Sequence, residues 1–235
     1  MGENIVNNGT VVGKNADIAS SSGEGFYWRY ESALKSLDSR LYSAVGAAGE
    51  LFAIRTNLFK PLPDYILLDD FVLSMSINIA GYKNIYCPSA YAIESGSLNM
   101  KEEEKRKVRI SAGGLQSVWH LMPLLNIFRY GVLSFQYVSH RVMRWTITPL
   151  AMLLLLFVNL VLLIQQPSVV YIVFFVLQCL FYLFAFIGYR LAEKEIKNKF
   201  VFIPYYFLFM NLNVFKGIVY LSRKKSGVWE KSKRK

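Results

Sequence analysis

Acidic residues are scarce in the second half of this chain: Trp145 to Lys235 carries 3 of them against 12 Lys and Arg, whereas Met1 to Arg144 carries 13 against 15. The formal charge of +11 therefore divides as +2 and +9. A basic surplus confined to the more apolar half points to anionic lipid at a membrane face. No basic stripe with interleaved aromatics occurs before residue 100, which excludes a nucleic-acid groove as the expected partner surface. Cysteine is limited to Cys87 and Cys179, one in each half and the second inside an apolar run, so no disulfide is expected and a reducing compartment fits. The two histidines, His120 and His140, have no Cys or carboxylate at ligand spacing, and no metal site is expected at them. The polar start, Met1-Gly2-Glu3-Asn4, leads into no apolar h-region, so a cleavable signal peptide is not expected.

Charge is absent altogether from two long runs, Trp145 to Ile164 and Val169 to Tyr189. Each is long enough, at about 1.5 Å per residue, to cross a hydrocarbon core of about 30 Å. Only Gln165-Gln166-Pro167-Ser168 separates them, which predicts an antiparallel hairpin. Arg141 and Arg144 precede the first run and Arg190, Lys194, Lys197 and Lys199 follow the second, so both outer flanks are expected in the cytoplasm. A third stretch, Phe200 to Leu221, contains Pro204, Asn211, Asn213 and Lys216, and is followed by a basic tail, Arg223 to Lys235. Either it spans against its charge bias or it forms a re-entrant or interfacial helix; the tail favours the latter. These helices serve as an anchor or line an acceptor path. Residues 115–144, broken by Pro123 and Gly131, read as interfacial helices with Trp119, Tyr130, Tyr137 and Trp145 at headgroup depth.

In the first half, residues 1–22 are rich in Asn, Gly and Ser and read as loop. Between Glu24 and Tyr42, Phe26, Tyr27, Tyr30, Leu34, Leu37 and Leu41 fall at helical spacing, with Arg29, Lys35 and Asp38 on the other face. VGAAGELFAIR (Val45 to Arg55) combines small residues with an apolar run; its glycines suit close backbone approach, either in a ligand-facing loop or in a turn into a buried strand. Next, Asp69 or Asp70 opens a helix that Gly81 closes, and a short strand, Asn84 to Cys87, runs up to Pro88. Capping uses one of the two acids. The second, following Ile66-Leu67-Leu68, invites a role as general base. In KEEEKRKVRISAGG (Lys101 to Gly114), Arg106 and Arg109 share a helix face and offer guanidinium forks to a diphosphate, although a solvated charged face is the common meaning of such a run.

Taken in order, GEGFYWRYE, VGAAGELFAIR, LLDDFVLSMSINIAGY, KRKVRISAGG, SHRVMRW and GVWEK resemble the C-terminal part of membrane-bound family 2 glycosyltransferases, the group of cellulose, chitin and hyaluronan synthases. The resemblance implies an α/β fold: a partial, acceptor-side GT-A-like domain over 23–114, then interfacial helices over 115–144, membrane or re-entrant helices over 145–222 and a basic tail over 223–235. It implies inverting sugar transfer from a sugar nucleotide to a glycan or lipid-linked acceptor, in a multi-pass protein of the cell (inner) membrane whose soluble part is cytoplasmic. Asp70 would be the base that deprotonates the acceptor, Asp69 its support, and Gly49 part of the acceptor loop. Arg106 to Ile110 stands where the family has Gln-x-x-Arg-Trp: Arg109 keeps the cation, while Arg106 and Ile110 replace Gln and Trp, which points to single or short-chain transfer. The family also implies a divalent metal, Mg or Mn, held by an Asp-x-Asp motif that occurs nowhere in this sequence. Two expectations follow: an enzyme completed by a separate N-terminal half that holds the donor, or a non-catalytic membrane-anchored fragment or subunit.

Overall fold

The structure, a computed structural model, describes residues 5–7, 10–12, 18–49, 51–90, 92–94, 97, 99–194, 196 and 198–223. Residues 1–4, 8–9, 13–17 and the tail from 224 onward, with its GVWEK motif, lie outside the described residues; the described part of 1–22, expected as loop, forms two short strands and the start of a helix.

The expected α/β, GT-A-like layer is not what the chain forms. Among the described residues the strands are three of three residues each, β1 (Ile5–Asn7), β2 (Thr10–Val12) and β3 (Ala92–Glu94), in the order β1-β2-β3. β1 and β2 are antiparallel, with Val6 opposite Val11, and β2 and β3 are parallel, with Val11 opposite Ile93. So short a sheet cannot carry a layer of helices. The two segments with strand-like composition spend their backbone groups elsewhere. Ala47 N–H donates to Ser74 Oγ (2.9 Å), Asn84 N–H to Ser43 Oγ (2.9 Å) and Tyr86 N–H to Ser39 Oγ (3.0 Å). Side chains of neighbouring helices thus satisfy the donors that a ladder would otherwise use.

Helices make up the rest. α1 (Ile18–Leu41) carries its burial on the side opposite to its apolar stripe: Glu31, Ser32, Lys35 and Asp38 are buried, whereas Tyr30, Leu37 and Leu41 are 56%, 59% and 62% exposed. The reason lies in the segment facing it. α3 (Met100–His120) ends in a 3₁₀ turn, Met122–Leu125; then come α4 (Ile127–Tyr130), α5 (Val132–Tyr137), a π-helical turn (Val138–Val142) and α6 (Met143–Trp145). Gly131, at φ +51°, makes the bend between α4 and α5, a backbone state open to glycine. The returning segment meets α1 with polar groups: Gln136 Nε2 donates to Asp38 Oδ1 (3.0 Å), His140 Nδ1 lies 2.9 Å from Asp38 Oδ2, and Arg141 and Arg144 both pair with Glu31.

The soluble core forms where this segment folds back on α2 (Asp69–Ile79). Phe71 and Met75 pack with Leu121, Leu124, Tyr137 and Trp145. Trp145 meets Phe71 edge-on at 5.4 Å between centroids. Tyr137 and Trp145 are therefore packed inside the protein, while Trp119 is 74% exposed.

Three helices, α7 (Ile147–Gln165), α8 (Val169–Glu193) and α9 (Lys199–Arg223), are long and apolar enough to cross a membrane, with mean hydropathies of 2.7, 2.5 and 1.3 over their candidate spans. α7 and α8 form a hairpin joined across its middle by Asn159 Nδ2 to Gln178 Oε1 (3.2 Å) and by Tyr182 OH to Met152 O (2.9 Å). α9 lies along both α8 and α3. A Cβ on Gly188 would stand 2.3 Å from Val201 O, and one on Gly217 would stand 2.9 Å from Ala112 N, so both contacts are close backbone approaches that need glycine. Polar groups line the α3 side of α9: Tyr206 OH donates to Glu103 Oε1 (3.0 Å), Lys216 pairs with Glu104, and Asn211 and Asn213 are buried.

Candidate functional site

α2 starts with Asp69 and Asp70 as its first two residues, behind Leu68 as N-cap. Neither acid is the N-cap residue. Both carboxylates lie in the first turn, where the helix dipole favours negative charge. Asp69 is exposed and Asp70 half-buried. An exposed carboxylate beside a sheltered one of the same helix turn gives two acids with different surroundings.

The approach to this turn is clamped by one face of α3. Leu67 N–H donates to Gln116 Oε1 (3.0 Å), Gln116 Nε2 donates to Tyr65 O (3.1 Å), and Arg109 Nη2 donates to Leu67 O (3.3 Å). Between them Gly113 leaves room for Leu68, whose Cγ would be 2.6 Å from a Cβ there. Arg109, Gly113 and Gln116 are spaced four and three residues apart, the step that aligns side chains along a helix. Arg109 Nε is buried without a hydrogen-bond partner.

The small-residue loop forms the opposite wall. Gly46 has φ +85°, and a Cβ on it would stand 2.4 Å from Phe71 Cδ2. Ala47 N–H donates to Ser74 Oγ (2.9 Å), which in turn donates to Phe71 O (3.0 Å), and Leu51 N–H closes a turn onto Ala48 O (3.2 Å). Gly49 is thereby set against the carboxylate: its Cβ, if present, would be 2.7 Å from Asp70 Oδ2. Any side chain at 49 would occupy the space of the Asp70 oxygen.

Of the residues singled out from sequence, Asp69, Asp70 and Gly49 meet at this helix start, and Arg109 reaches Leu67 O, three residues before Asp70. Arg106 takes part in another cluster, 3.6 Å from Glu103 Oε2. Glu103 is fully buried; it accepts from Ser97 (2.6 Å) and Tyr206 (3.0 Å), and Lys107 lies 3.3 Å away. Burial alone would push its carboxyl up, but Lys107 and Arg106, with the bonds from Ser97 and Tyr206, outweigh this and hold it below the usual carboxylate range. Glu102, Glu103 and Lys107 of the charged run are thus buried, while Lys101 and Lys105 stay exposed.

Two contributors are not apparent from sequence. Gln116 lies in a run with no chemical signature. Arg141 reads as a flanking cation of the first apolar run, yet it is buried, pairs with Glu31, donates from Nη2 to Val45 O (3.1 Å) and stands over the Phe71 ring at 5.7 Å. The signal available was the seven-residue spacing of Glu31 and Asp38, which places two acids on one face of α1.

No group of three or more His, Cys, Asp or Glu side chains able to hold a metal ion occurs among the described residues. The described residues around Asp70 therefore do not supply the donor set for the divalent ion that the resemblance implies. What remains is a half-sheltered carboxylate, a glycine whose bare backbone it packs against, and a guanidinium on α3 whose Nε is buried without a hydrogen-bond partner. No family model, curated protein or solved structure matches the chain.

Proposed function

We propose that this chain takes part in glycosyl transfer at a membrane face, with Asp70 as the base that activates the acceptor hydroxyl. The observation that carries the reading is the contact of Gly49 with Asp70: the bare backbone of the small-residue loop lets a half-buried carboxylate at a helix start pack against it, which brings the two motifs of the resemblance together. The resemblance of the LLDD and VGAAGE motifs to the acceptor side of membrane-bound family 2 glycosyltransferases supplies the reaction class. In the step itself, the acceptor oxygen bonds to the anomeric carbon of a sugar nucleotide, the bond from that carbon to the diphosphate oxygen breaks, and the acceptor proton passes to Asp70. Asp69 supports it as the second acid of the helix start. Arg109, with its unpartnered Nε, supplies positive charge toward the departing diphosphate. In this reading the donor and its metal are held outside these residues, which contain no Asp-x-Asp motif.

In the same reading α7 and α8 cross the bilayer as a hairpin, the soluble part is cytoplasmic, and α9 lies in the interface. A helix that bonds along its length to the charged side of α3 would carry Glu103, Glu104 and Lys107 into hydrocarbon if it crossed, at a cost of several kcal/mol.

The test is replacement of the resident gene by Asp70→Asn in the source cells, followed by compositional analysis of membrane-linked and surface glycans. Loss of one glycan at unchanged protein level supports the reading. An unaltered profile refutes it, and a profile that survives Asp70→Asn but not deletion makes the chain a non-catalytic membrane subunit.

A further inference from the structure

We infer that Arg141, six residues before the first apolar helix, is the positioning residue for Asp70, tying the membrane hairpin to the site; this rests on the reading of Asp70 as acceptor base. Its guanidinium reaches three elements at once. Through Nη2 it pairs with Glu31 of α1 and donates to Val45 O (3.1 Å), and its Cζ lies over the Phe71 ring, 5.7 Å from the centroid. Val45 is the residue before Gly46, and Phe71 the residue after Asp70. The two walls whose meeting sets Gly49 against Asp70 are therefore held by one side chain.

Both bonds leave from one nitrogen, Nη2, while Nε is buried without a hydrogen-bond partner. To these bonds the guanidinium adds a flat, weakly hydrated cation over the Phe71 ring, which a Lys ammonium matches only in part. The π-helical turn Val138–Val142 carries Arg141, and such turns are commonly found at functional sites. Its neighbour His140 meets Asp38, two helical turns beyond Glu31, so the turn is pinned to α1 at both residues. Arg144 adds a second cation on Glu31 at 3.3 Å, and a shift of α7 is transmitted through the short α6 to this pair. Movement of the hairpin thereby changes the approach of Gly49 to Asp70.

The experiment uses the full chain in lipid nanodiscs, with ¹⁵N-Ala and ¹⁵N-Leu for amide exchange and ¹³C-carboxyl Asp for titration. Ala47 and Leu51 report the loop, while Ala80 and Leu121, bonded inside α2 and α3 ends, report the surrounding frame. In Arg141→Gln, exchange at Ala47 and Leu51 is expected to quicken about 10- to 100-fold, with Ala80 and Leu121 unchanged. The Asp70 carboxyl signal, assigned through Asp70→Asn, is expected to change its titration midpoint. Arg141→Lys is expected to recover part of the exchange protection and not the midpoint. Equal acceleration at all four amides, or an unchanged Ala47 and Asp70 in folded Arg141→Gln, overturns the inference. Should Arg141→Gln not fold, Glu31→Gln, which leaves the bond to Val45 in place, is expected to give an intermediate acceleration at Ala47, and a wild-type rate there overturns it equally. Neither readout requires transfer activity, so a failure of Asp70 as base leaves the measured hold of Arg141 on the loop standing, and the reverse.

Discussion

Gly46 and Gly49 lie three residues apart in one loop, yet alanine at each is expected to do opposite things. At Gly46 the backbone is at φ +85°, and the new Cβ would stand 2.4 Å from Phe71 Cδ2 in the packed core. The left-handed conformation costs an L-residue about 1–2 kcal/mol and the overpacking about 1–3 kcal/mol. Together these predict a loss of about 2–5 kcal/mol, or about 4–20 °C in unfolding temperature for a chain of this size. At Gly49 no left-handed backbone is required, and the obstacle is the end of one side chain, Asp70 Oδ2 at 2.7 Å. Rotating that carboxylate off its rotamer costs about 0.5–1.5 kcal/mol, offset by about 0.4–1 kcal/mol from the stiffer unfolded chain. Gly49→Ala should therefore unfold within about 4 °C of wild type while displacing Asp70. Unfolding followed by tryptophan fluorescence, with the Asp70 carboxyl carbon as a second reporter, separates the two. The reasoning is refuted if both variants lose the same stability, or if Gly49→Ala leaves the Asp70 signal where it was.

Further outcomes follow from the ion pairs and the helix contacts. Burial would raise the Glu31 carboxyl, but Arg141, Arg144 and Lys35 override it and hold it well below its ordinary value of 4.5. The stability this pairing contributes is thus fully present above that value and is lost progressively as pH falls from it toward the depressed value of the folded state, while the pair itself stays ionised; acid unfolding of wild type should show this fall below about pH 5, and Glu31→Gln should flatten it. Tyr206→Phe removes the donor to Glu103 Oε1 and should cost about 1–3 kcal/mol, read as earlier release of α9 in limited proteolysis. Gly217→Leu, with Ala112 N at 2.9 Å from its Cβ, should part α9 from α3 and free Glu104 from Lys216, seen as new cross-linking of α9 to lipid probes. A cysteine at Ser168, in the hairpin turn, should react with an impermeant maleimide from the face opposite to that which labels the exposed native Cys87; labelling of both from one face contradicts a crossing hairpin.

The helical spacing along α1 and the two charge-free runs were legible because period and length are local properties of the sequence. The side of α1 that is buried was not: Tyr30, Leu37 and Leu41 advertise an apolar face, but the partners supplied by Gln136, His140, Arg141 and Arg144 are polar, and about a hundred residues away. Strand-like composition at Val45–Arg55 and Asn84–Cys87 misled for a related reason. Their donors are met by Ser39, Ser43 and Ser74, whose role as backbone partners has no sequence signature. In the site, Asp69 and Asp70 announced themselves as a surplus of acid at a helix start. That Gly49 faces Asp70, and that Arg109 rather than Arg106 stands nearby, depends on the clamp from Gln116 and Gly113 and on Glu103 holding Arg106.

The most direct test of Asp70 as acceptor base is the initial rate of labelled sugar incorporation from sugar nucleotides by membranes of source cells carrying wild type, Asp69→Asn or Asp70→Asn. At equal protein level, Asp70→Asn is expected to lower the rate about 100- to 10,000-fold and Asp69→Asn far less. A wild-type rate in Asp70→Asn membranes, or the larger loss falling on Asp69→Asn, contradicts the account.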